Sequence, residues 1–116
     1  MNVEQAREFY ELIDTDDIDG LIGRFAPEAA YHRPGYDPLV GRERLRRFYA
    51  EERVIKEGRH TLERVVEADG LTAVHGSFRG TLHDGRRAAH RFAEFFESTP
   101  DGLIARRDTF FFTSLV

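Results

Sequence analysis

A chain of 116 residues, 12% aromatic and 33% charged, with net charge −4 and no cysteine, is sized to fold as one domain, residues 1–116, around one core. The missing cysteines exclude disulfides, thiolate metal ligands and a thiol nucleophile, and the acidic balance argues against a nucleic-acid partner. The first residues, MNVEQAREFYELI, lack the basic start and apolar run of a secretory signal, and no stretch reaches membrane-spanning length, so the expected compartment is cytoplasmic, with no membrane partner.

Val3, Ala6, Phe9, Tyr10 and Ile13 recur at steps of three and four, and Asn2 with Gln5 has the spacing of a capping box, which predicts an amphipathic first helix. A shorter helix comes after the TDD turn, capped by Asp16 or Asp17, with Ile18, Leu21, Ile22 and Phe25 as its apolar stripe and Pro27 as its stop. In AAYHRPGYDPLVG, residues 29–32 read as a short strand, and the two prolines break the remainder into a loop. A third helix over residues 41–52 buries Leu45, Phe48 and Tyr49. Its basic run GRERLRR reads as a solvated face in which Glu43 pairs with Arg47, rather than as a phosphate site.

After Gly58 the pattern changes to period two. Strands are expected over residues 60–68, 71–82, 86–97 and 103–113, joined at the turn words ADG, HDG and PDG. The expectation is an antiparallel meander with the helices on one face. Within it, RFAEFFES carries one carboxylate, Glu94, among three phenylalanines. A two-residue turn at Asp84 and Gly85 would set His75 opposite Glu94, Ser77 opposite Phe92 and Arg79 opposite His90. One face would then hold Phe92, Glu94, Phe96, His75, His90 and Arg79, and the other Val74, Phe78, Arg91, Ala93 and Phe95.

Both faces are partly apolar, so one should meet the helices and the other a second copy, a homodimer through the sheet. A carboxylate beside a histidine among phenyl rings has the ingredients of a tuned acid/base pair, provided a cavity houses it. An ion pair from Glu94 to Arg107 or Arg79 is the open alternative. The histidines show no metal-ligand spacing, and no phosphate-cradling loop or nucleophile elbow is visible, so neither metal nor cofactor is expected.

The order of these elements resembles the nuclear transport factor two-like superfamily, in particular SnoaL-like polyketide cyclases and ketosteroid isomerases. FYELIDTDDIDGLIGRFAPEAAYHRPG is similar to the family's first two helices and the strand after them, VGRERLRRFY to its third helix, and FAEFFESTPDGLIARRDTFFF to its final hairpin. The resemblance implies an α+β fold, a cone-shaped barrel with three N-terminal helices packed on a curved, mostly antiparallel sheet, commonly dimeric, with a pocket between them. It also sets Glu94 at the oxyanion-hole acid of ketosteroid isomerases, Phe9 where their tyrosine stands with Tyr10 one step away, and Arg33 at their general base. Two departures in three disfavour ketosteroid isomerisation itself.

The expected function is therefore cofactor-free acid/base chemistry of isomerase, cyclase or dehydratase type on a small organic molecule. Glu94 and His75 would be catalytic, His32 and His90 being other possible partners for Glu94. Arg33 and Arg79 would orient polar groups, and Tyr10, Tyr31, His90, Phe92, Arg107 and Phe111 would line the substrate site. The alternative is a binding or dimeric assembly protein of the same fold without chemistry.

Overall fold

The computed structural model describes residues 1–112. Its elements are α1 (Val3–Asp14), α2 (Ile18–Ile22), β1 (Phe25–His32), β2 (Leu39–Val40), α3 (Arg42–Arg47) running into a π-helical turn (Phe48–Glu52), β3 (Ile55–Ala68), β4 (Leu71–Leu82), β5 (Arg87–Ser98) and β6 (Ile104–Phe111). The strands form one curved sheet in the order β2-β1-β6-β5-β4-β3, antiparallel throughout except where β1 runs parallel to β6. Helices cover one face of it.

The capping box at Asn2 and Gln5 closes the start of α1, and Asp17 caps α2 through the Gly20 N–H. Ala6, Phe9, Tyr10 and Ile13 are buried from α1, whereas Val3 stays exposed. Phe9 anchors the core, meeting Phe25 and Phe96 edge-on at 5.7 and 5.3 Å between ring centres.

Several expectations need correction. The sheet is open, edged by the two-residue β2 and by β3, so it is not a closed barrel. The helices are not all N-terminal either, because β1 and β2 precede α3. Phe25 and Pro27 belong to β1, where Pro27 falls in the stretch between Phe25 and Ala30 in which the pairing with β6 shifts register. On α3, Glu43 does not take Arg47: Arg44 and Arg47 share Glu52, and Arg46 reaches Asp19. β3 starts five residues early and passes under the ring of Phe78, where a Cβ on Gly58 would stand 2.1 Å from the ring's Cζ.

The most consequential correction is one residue in one turn. Leu82, not His83, pairs with Arg86, through a 2.8 Å bond from the Leu82 N–H to the Arg86 carbonyl, and Gly85 donates back to Leu82 at 2.9 Å with φ at 89°. The loop is the three-residue His83-Asp84-Gly85, a turn closed by a glycine in the left-handed region, instead of the two-residue Asp-Gly turn. One residue of slip exchanges the two faces of a strand. Val74 therefore sits opposite Glu94, Phe78 opposite His90, and His75 opposite Ala93.

Candidate functional site

β5 keeps the expected parity. Phe92, Glu94 and Phe96 face the helices, and Glu94 is 1% exposed. From β6, Arg107 (5% exposed) and Thr109 enter the same layer, since register places Phe96 opposite Arg107 and Glu94 opposite Thr109. The Arg107 guanidinium grips the carboxylate with both edges, Nε to Oε2 at 2.7 Å and Nη2 to Oε1 at 2.9 Å. Tyr10 donates its hydroxyl to Oε1 at 2.6 Å, Thr109 donates to Oε2, and Arg107 donates Nη1 to the Tyr49 hydroxyl. Arg107 also lies against the Tyr31 ring, 4.4 Å from its centre.

Burial alone pushes the Glu94 carboxyl up, but the charge of Arg107 and the hydrogen bonds from Arg107, Thr109 and Tyr10 outweigh it and hold the group below the ordinary carboxylate range. For Arg107, burial pulls down, but the Glu94 charge, the Tyr31 and Tyr49 hydroxyls and the hydrogen bonds to Glu94 together outweigh it, so its pKa lies above the usual value. Both partners are thus driven toward their charged forms. Burial and the neighbouring Glu94 charge raise the Tyr10 phenol, which stays a donor.

Above this floor lies a narrow, partly open cavity of about 30 Å³, with Tyr31, Arg33, Arg53, His60, His90 and Phe111 among its walls. His60, in its wall, is held at two points. Asp14, at the end of α1, accepts the His60 backbone N–H at 2.8 Å and holds the ring Nδ1 at 2.6 Å. An ionised carboxylate only accepts, so in this contact Nδ1 is the donor, and Nε2 is the ring nitrogen without a hydrogen-bond partner among the described residues. The ring is seated between Tyr10 and Phe78, at 5.0 and 4.8 Å between centres. His90, between Phe78 and Phe111, has its pKa lowered by burial and then by His60 and Arg33.

Of the residues expected at the site, Glu94, Tyr31, Arg33, His90, Phe92, Arg107 and Phe111 meet at this cavity, and Tyr10 reaches it through Glu94. Tyr10, not Phe9, turns toward the carboxylate. His75 and Arg79 are corrections: the turn at Gly85 sends both to the open face, where His75 stands 3.4 Å from Glu63 and 3.0 Å from Arg91, and Arg79 is exposed. The pairing of His75 with Glu94 does not form. His32 projects beside Asp108, at 3.1 Å, away from Glu94. Arg33 stacks against Tyr31, Tyr36, Phe48 and Phe111.

Sequence reasoning missed Asp14, Tyr49, Arg53, His60 and Thr109. Asp14 lies one helical turn beyond Tyr10, on the face that points to the sheet, and His60 lies two residues before the inward Leu62; both spacings were readable. Among the described residues, no group of three or more histidine or acidic side chains could hold a metal ion, and no helix is long and apolar enough to cross a membrane.

A family model described as a SnoaL-like domain matches residues 6–107. No curated protein matches the chain in sequence. Among solved structures, an NTF2-like protein of unknown function from Burkholderia pseudomallei K96243 superposes with a TM-score of 0.85 at 21% identity, over 96% of this chain and 92% of that one. SalBIII, described as an epoxide hydrolase/cyclase-like enzyme in pyran ring formation in the polyether salinomycin, gives 0.80 at 20% identity, over 96% and 94%. TerC, co-crystallised with polyporic acid, gives 0.81 at 20% identity, over 94% and 89%. At such identities these likenesses establish the nuclear transport factor two-like fold and nothing finer.

Proposed function

The chain belongs to the SnoaL-like domain family, and from that premise we propose that its cavity carries out cofactor-free acid/base chemistry, of isomerase, cyclase or dehydratase type, on a small organic molecule. One observation carries the reading: Asp14 holds both the backbone N–H and the ring Nδ1 of His60, a residue of the cavity wall, which leaves Nε2 as the ring nitrogen without a partner among the described residues. A histidine so oriented takes a proton from a bound carbon acid or hydroxyl and returns it elsewhere, with Asp14 steadying the imidazolium. Glu94 moves from the acid/base pair to the floor, where with Arg107 it fixes the aromatic and hydroxyl groups around the reacting position. Arg33 orients a polar group of the substrate. That SalBIII is described as cyclase-like supports the reaction class by analogy of fold.

A second reading, ligand binding without turnover, is favoured by a different observation: Glu94 is locked to Arg107, and the free space holds a head group rather than a whole ligand, well below the roughly 300–1,000 Å³ of common ligand pockets. Proton exchange separates the two. In D2O, the protein should accelerate deuterium uptake at the carbon beside the carbonyl in a panel of small ketones and keto acids, and His60→Asn should abolish it. No acceleration for any compound, including those that bind, would leave the binding reading standing.

The same reading pairs two copies through the open face, where Phe95, Phe110 and Phe112 are exposed, with Phe95 and Phe110 edge to face at 5.8 Å. Sedimentation should report a dimer that Phe110→Glu converts to monomer.

A further inference from the structure

Three guanidinium groups, Arg33, Arg53 and Arg107, line the cavity, against one carboxylate, Glu94. Arg107 and Glu94 neutralise each other through two hydrogen bonds. Among the described residues, the other two cations have no such partner. Arg33 has its Nε buried without a hydrogen-bond acceptor, its Nη1 reaches only the Tyr31 hydroxyl at 3.3 Å, and the rest of its charge rests on aromatic faces. Arg53 lines the cavity and makes no ion pair or side-chain hydrogen bond among the described residues, and burial pulls its pKa down.

Partly withdrawing two positive charges from water without a counter-charge costs free energy, and aromatic faces offset part of it for Arg33. The arginine-rich α3 makes a contrast, since Arg44, Arg46 and Arg47 are already paired with Glu52 and Asp19. Among the described residues, Arg33 and Arg53 line the cavity without an acidic side chain at ion-pair distance.

We propose that the cavity binds a small organic carboxylate, held between the guanidinium groups of Arg33 and Arg53. Planar guanidinium forks match carboxylate oxygens edge to edge, which a point charge would not. The space of about 30 Å³ takes two or three atoms of water's size, the dimensions of a carboxylate head, with the remainder of the molecule reaching toward His60 or out of the mouth. This deepens the acid/base reading and rests on it: the anchored acid is the substrate class on which His60 would act.

The probe is sodium acetate, titrated at constant ionic strength against chloride and monitored through the Nε–H resonances of ¹⁵N-labelled protein, with acetamide as the neutral counterpart. Acetate should shift the Arg33 and Arg53 signals saturably, acetamide should not, Arg53→Gln should weaken acetate binding about tenfold or more, and Arg59→Gln on the exposed face should leave it unchanged. Non-saturating shifts, equal shifts at exposed arginines, equal binding of acetamide, or undiminished affinity in folded Arg53→Gln would each overturn the proposal. Should Arg53→Gln not fold, the acetate–acetamide comparison on the unaltered protein decides alone. Acetate binding with no deuterium exchange would sink the acid/base reading only, whereas exchange into neutral ketones with no acetate binding would sink this one.

Discussion

The two faces of the sheet carry the same chemistry under opposite conditions. On the helix side, His60 and Asp14 stand 2.6 Å apart with side chains 10% and 18% exposed; on the open side, His75 and Glu63 stand 3.4 Å apart at 41% and 50%. The arginine–carboxylate pairs repeat the contrast, Arg107 with Glu94 in the interior and Arg106 with Asp108 at the surface. Water screens the outer pairs, so the geometry there determines little. Inside, Asp14 is committed to His60 and Glu94 to Arg107, and position separates these structural or chemical pairs from solubilising ones.

The sharpest way to break this comparison is to remove one inner partner. Arg107→Met leaves Glu94 buried with no counter-charge and should cost about 3–5 kcal/mol in urea or thermal unfolding, a large fraction of the stability of a small domain. The equivalent change at Arg106 should be near neutral. Acid probes the same pair with a known sign. Because the Glu94 carboxyl lies below its ordinary 4.5 in the folded protein, the unfolded chain takes up that proton first, so its contribution is present above 4.5 and is lost as pH falls below it. His90, lowered from 6.5 by burial, adds an earlier loss that begins below that value. Urea unfolding between pH 8 and 3 should thus show stability falling in two stages, the first absent in His90→Phe.

Next in size is Tyr10→Phe. It deletes one donor to an ionised, buried oxygen while keeping the ring, and should cost about 1.5–3 kcal/mol by the same unfolding measurement. A loss below about half a kcal/mol would mean that Arg107 and Thr109 satisfy Glu94 without it.

How much of this the sequence disclosed depends on the range of the forces involved. α1 was readable because its cap and apolar stripe are local: Asn2, Gln5, Ala6, Phe9 and Ile13 act within one helix. The parity of Glu94 was readable because Phe92 and Phe96 alternate with it on one strand. The parity of β4 was not, since it hangs on whether His83 belongs to a strand or a loop, and Asp84-Gly85 serves either turn. That ambiguity carried His75 and Arg79 to the wrong face together. The Asp14–His60 contact joins residues 46 apart in the chain, across α1 and β3, and only the packing of those elements brings them together.

The smallest expected effect tests the comparison from its outer side. His75→Ala removes a histidine with two polar neighbours, Glu63 and Arg91, and so looks disruptive on distances alone. His75 and Glu63 are expected to lie outside the dimer contact at Phe95, Phe110 and Phe112, so solvent replaces each contact there, and an exposed pair returns little after the ordering of its side chains is counted. The substitution should therefore shift unfolding free energy by less than about 0.5 kcal/mol. It should likewise leave any deuterium exchange catalysed by the protein at the unaltered rate, while His60→Asn abolishes it. A stability loss above about 2 kcal/mol for His75→Ala would show that the dimer contact at Phe95, Phe110 and Phe112 extends over His75, and the contrast between the two histidines would then lie in their partners rather than in their exposure to water.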